Sequence, residues 1–144
     1  MGSIVSATTG KAYGAAATSS RADAFLDAAE VLLVQAQEDF AAGRYDLAME
    51  NAYRAALRTA GAYCAGSAEI RKRKRLPTNA WKKLALAGKE GEAWSRTFSA
   101  FSALRGRVAS GIELDPEADV VGELLGNAEA FYRELRPEAV SGVA

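Results

Sequence analysis

Apolar residues return every three or four positions in successive stretches of this chain, and no alternating run long enough for a strand interrupts them. Phe25, Ala29, Leu32, Leu33, Ala36 and Phe40 trace one helical stripe, and Tyr45, Ala48, Ala52, Ala55, Ala56, Ala60 and Tyr63 trace a second. Trp81, Leu84 and Ala85 mark a short third helix beyond Pro77. Trp94, Phe98, Phe101, Leu104 and Val108 carry a fourth, over about 92–109, and Val121, Leu124, Leu125, Ala128, Phe131 and Leu135 a fifth. The pattern predicts an all-α fold, an antiparallel bundle of about five helices with no sheet. A chain of 144 residues is long enough to bury one such core without staples.

The punctuation between stripes sets the boundaries. Residues 1–19 are mostly Gly, Ala, Ser and Thr, which predicts a flexible arm. The bundle is expected over 20–136, and 137–144 reads as a tail. Ser19 or Ser20 is expected to cap the first helix, because a hydroxyl there accepts an orphan N–H. Gly43-Arg44 joins the first two helices as an αα-hairpin. The second helix has an alanine face that lets neighbouring backbones come close, which predicts a central position. Asp115-Pro116-Glu117 reads as the start of the last helix, with Asp115 as its cap.

Composition excludes several chemistries. The sequence has no histidine and one cysteine, Cys64. A disulfide within the chain is therefore impossible, and the usual zinc, haem and di-iron helix motifs lack their ligands. Glu113, Asp115, Glu117 and Asp119 are better read as compensating a helix start than as a cation site. No cofactor, no metal and no catalytic residue is expected. The sequence also lacks a run of apolar residues long enough to span a membrane, and its N-terminus lacks the order of a signal peptide, so a cytoplasmic location is expected.

Net charge is zero, but the charge is unevenly placed. Residues 1–70 carry 5 basic and 8 acidic side chains, 71–107 carry 11 and 2, and 108–144 carry 2 and 8. The positive middle is densest at Arg71, Lys72, Arg73, Lys74 and Arg75, just before Pro77. Like charges at that density favour a solvated loop. Lys82 and Lys83 follow closely, and Arg105 and Arg107 lie further along the same basic segment. These nine side chains are the candidate nucleic-acid-binding residues, suited to phosphates rather than to reading bases. Trp81, Trp94, Tyr45 and Tyr53 are expected to pack rather than to stack on a ligand.

The hairpin Ala42-Gly43-Arg44-Tyr45-Asp46-Leu47-Ala48, with Asn51-Ala52-Tyr53-Arg54-Ala55-Ala56 after it, resembles the central hairpin of the HEPN domain superfamily. Asn79-Ala80-Trp81, Ala93-Trp94 and Phe98 through Arg105 resemble a small stand-alone actinobacterial HEPN-like family. The likeness spans roughly residues 20–135. It implies a bacterial helical bundle that forms a homodimer. Many HEPN domains are ribonucleases with an arginine followed four to six residues later by a histidine. Here Arg105 is present but Ser110 stands where the histidine is expected, and a serine hydroxyl does not exchange protons near neutral pH as imidazole does. The resemblance therefore points to a catalytically degenerate domain that binds RNA or another polyanion without cleaving it. The alternative is a protein-interaction module, adaptor or antitoxin-like, whose basic loop meets an acidic partner. A metal-dependent ribonuclease ranks below both.

Overall fold

The computed structural model describes residues 10–138, with side chains from Ser19 onward. Residues 1–9 of the expected arm and 139–144 of the expected tail lie outside that range. Among the described residues the chain is an all-α bundle of seven helices: α1 (Gly10–Ala41), α2 (Tyr45–Ala65), α3 (Ala68–Arg71), α4 (Ala80–Leu84), α5 (Lys89–Ser99), α6 (Ser102–Ala109) and α7 (Ala118–Leu135). No helix among them is long and apolar enough to cross a membrane.

The first hairpin forms where the sequence places it. Gly43 takes a left-handed φ of 79°, a conformation that costs glycine little. A buried carboxylate then locks the turn. Asp39 is only 2% exposed and accepts hydrogen bonds from Gln35 Nε2 at 3.2 Å, Arg44 Nε at 3.0 Å and Asn51 Nδ2 at 2.9 Å. Burial alone would raise its pKa. The hydrogen bonds from Asn51, Arg44 and Gln35, with the Arg44 charge, outweigh that and hold it below the ordinary aspartate value. The depressed value means that the ionised form stabilises the fold above the unfolded-state pKa and is lost as pH falls through the folded one. Asp39→Ala should therefore cost about 2 kcal/mol at neutral pH by stranding its donors. Denaturant titrations should show that gap closing below about pH 4.

Helix α2 is the hub, packed against all six of the others. Its inner face is Ala48, Ala52, Ala55, Ala56 and Ala60 with Met49 and Tyr53, so the expected central position follows from the small side chains. Helix α1 buries Leu26, Ala29, Leu33 and Ala36, the last three from the expected stripe, and leaves Phe25, Leu32 and Phe40 half-buried against the core. The aromatic side chains close the far side. Trp81 stacks on Phe98 at 5.3 Å, Trp94 stacks on Phe131 at 4.8 Å, and Phe98 meets Phe131 at 5.5 Å. Trp81 Nε1 donates to Tyr53 Oη at 2.7 Å, and Trp94 Nε1 to Glu134 at 3.1 Å. Trp81, Trp94 and Tyr53 thus serve as core anchors, as their spacing suggested.

Four boundaries depart from the sequence reading. Helix α1 starts at Gly10, so residues 10–19 are helical and Ser19 and Ser20 sit within the helix rather than at its cap. The expected fourth helix is two, α5 and α6, because Phe101 N bonds to Phe98 O at i−3. The Ser102 hydroxyl bonds back to Ser99 O there, a local competitor to helix hydrogen bonding. Helix α3 is an addition, capped by Ser67 Oγ, which accepts from Ile70 N. Helix α7 begins at Ala118 with Glu117 as its N-cap residue. Pro116 is buried ahead of it, and Asp115, two residues before Glu117, is not the cap residue.

Candidate polyanion-binding groove

The C-terminal half of α2 leaves one face uncovered between α1 and α4. Gly61 sits on that face, and a Cβ there would lie 2.8 Å from the Phe25 ring, so the ring of α1 lies directly over the glycine backbone. Phe25 and Gly61 are each eighteen positions from Gly43 in sequence, as expected of residues opposed across an antiparallel hairpin. The chain then turns through α3, which Ser67 starts and Ile70 anchors at 7% exposure. It passes over the end of α2 and returns as α4, whose cap Asn79 Oδ1 accepts from Trp81 N and Lys82 N at 3.0 Å each. These elements enclose a groove of about 490 Å3.

Its floor is apolar: Phe25, Leu57, Ala60, Gly61, Cys64 and Ile70. Around it stand Arg21, Arg71, Arg73 and Lys83, and no carboxylate lines it among the described residues. Arg71 Nη1 donates to Ala65 O at 3.3 Å, at the C-terminal end of α2 where orphan carbonyls attract a cation. No ion pair among the described residues engages any of the four. Burial pushes the Cys64 thiol up in pKa, and the Lys83 charge only partly opposes it. A thiol so placed is a packing group rather than a nucleophile.

Of the nine candidate residues the groove gathers Arg71, Arg73 and Lys83. Lys72, Lys74 and Arg75 are exposed on the adjoining connector, and Lys82 is exposed on α4 beside Lys83. Arg71 belongs to α3 rather than to a loop. Arg105 and Arg107 stand apart on α6. Arg105 is already taken: its Nε and Nη2 donate to the two Glu50 oxygens at 2.9 and 2.8 Å, with the guanidinium 5.0 Å over the Tyr53 ring. Those Glu50 hydrogen bonds raise its pKa above the ordinary arginine value. Glu50, Arg54, Leu57 and Gly61 follow one another on a single face of α2. The Arg105 pair therefore lies on the groove's side of the molecule, about 16 Å further along the helix, with exposed Arg54 between.

Arg21 escaped the sequence reading. Its only signal is position, one turn before Phe25, and that gains meaning once the hairpin sets Phe25 against Gly61. Ser110 closes α6, its hydroxyl donating to Arg107 O at 3.3 Å. Among the described residues no group of three or more His, Cys, Asp or Glu could hold a metal ion.

A family model described as SAV_6107-like HEPN matches residues 36–136, more than two-thirds of the chain. The chain belongs to this HEPN family. No curated protein and no solved structure matches it. The match runs from the end of α1 through α7, so it takes in Arg71, Arg73 and Lys83 of the HEPN domain's groove and leaves Arg21 and Phe25 before its start.

Proposed function

We propose that this HEPN domain binds RNA or another polyanion in the α1–α2–α4 groove and does not cleave it. One observation carries the reading: Arg21, Arg71, Arg73 and Lys83 surround a groove that no carboxylate lines among the described residues. Uncompensated cations at close spacing attract phosphates and release the counterions condensed on them. Exposed Lys72, Lys74, Arg75 and Lys82 extend the positive field around the opening. Acid–base cleavage of the Arg–His kind has no imidazole to use, since the sequence has no histidine. Titration of a labelled oligoribonucleotide across a salt series tests this. Binding should weaken steeply with salt, and the RNA should be recovered intact with or without magnesium. Absence of binding at low salt, or clean cleavage, would overturn the reading.

A protein-interaction module, adaptor or antitoxin-like, is the second reading. The observation favouring it is the connection between α6 and α7, where Ile112 and Leu114 are 74% and 78% exposed. The family supports a homodimer, and those two side chains offer apolar surface for its interface. Sedimentation showing only monomer at high concentration would refute the dimer.

A further inference from the structure

We propose that the groove seats one unpaired base of a single-stranded nucleic acid, with Phe25 as its stacking surface. The inference rests on the polyanion reading and adds to it the chemistry of the floor. A surface that only gathers phosphates needs cations and little else. Here the cations stand around the opening, while Phe25, Leu57, Gly61 and Ile70 lie between them. Phe25 is half-buried with its ring over a glycine, an aromatic face placed beside cations rather than sealed in the core. At about 490 Å3 the groove has the size of a small-ligand site, room for one nucleoside rather than several. Bases stack on aromatic rings without sequence readout, because each base has a π-face. In a duplex the bases are already stacked inside the helix, so its phosphates would meet Arg71 and Arg73 and leave the floor in contact with water.

The test compares four probes on the full chain by fluorescence competition: a short single-stranded oligoribonucleotide, its duplex, an abasic strand of the same length, and inorganic polyphosphate. The single strand should bind about fivefold or more tightly than the abasic strand, the least that one base–aromatic stack contributes. Phe25→Leu keeps an apolar side chain and removes the ring face. It should weaken the single strand by the same factor and leave the abasic strand, the duplex, polyphosphate and the salt slope unchanged. Gly61→Ala provides a second route, because its Cβ would force the Phe25 ring from its place. It should reproduce the selective loss, with circular dichroism confirming that both variants fold. Equal affinity for intact and abasic strands, unaltered in both variants, would overturn the seated base while a steep salt slope kept the polyanion reading intact. Failure of all four probes to bind at low salt would remove both and give the groove to an acidic protein instead.

Discussion

Replacing Arg71, Arg73 and Lys83 together by alanine should lower the salt slope of RNA binding by about two, since each phosphate contact on a single strand contributes about 0.7. With the curves converging near ~1 M salt, that change makes binding at ~50 mM about a hundredfold or more weaker. The three positions are chosen by geometry rather than by charge density, because they line the groove while Lys72, Lys74 and Arg75 do not. Neutralising Lys72 and Lys74 should therefore lower the slope by less than two groove cations do. Arg105→Ala is the sharper control. Its guanidinium is bidentate to Glu50 at 2.8–2.9 Å, so its loss should leave the slope where it was. A slope unmoved by the triple substitution would take the binding site away from this groove.

Phe98→Ala should destabilise the fold by about 3–5 kcal/mol, the usual cost of emptying a buried aromatic position. Phe98 is fully buried and meets Trp81, Trp94 and Phe131 at 5.3–5.7 Å. Removing its ring leaves three other rings without a shared neighbour, so the site cannot collapse by moving one side chain. For a domain of this size the loss corresponds to a fall in Tm of roughly 10–20 °C, and it approaches the whole stability of many domains. Thermal and urea melts followed by circular dichroism would show it. A change below about 1 kcal/mol would mean that the aromatic cluster is not what joins α4, α5 and α7.

The sequence disclosed the parts of this fold that rest on repetition. The stripes of α1, α2 and α7 run for four or more turns, and a period of 3.6 is hard to mistake over that length. The alanine face of α2 likewise revealed its place at the centre. Short or singular features stayed hidden. Helix α3 has four residues and no period to detect. The break at Phe101 depends on one i−3 hydrogen bond. Asp39, written in the sequence as one acid on a polar helix face, is buried only because Arg44 and Asn51 converge on it. The site divided in the same way. A run of five cations declares an exposed basic segment, but which of them turn toward α2 depends on how Ile70 anchors the chain. Arg105 meets a glutamate 55 residues away, a partner that spacing along the chain does not reveal.

The placement of Phe25 over Gly61, across a hairpin that turns at Gly43, also governs which length changes the lineage of this domain can accept. One residue gained within α2 before Gly61 would swing everything after it by about 100°, carrying the glycine out from beneath the ring and scattering the arginines. The stretch from Lys72 to Leu76 is exposed and outside any helix, so a change of length there costs the fold little while shifting Arg73 and Leu76 in the groove. Descendants should therefore keep the rods in step while varying the strap between them, and with it the reach of the charge it carries.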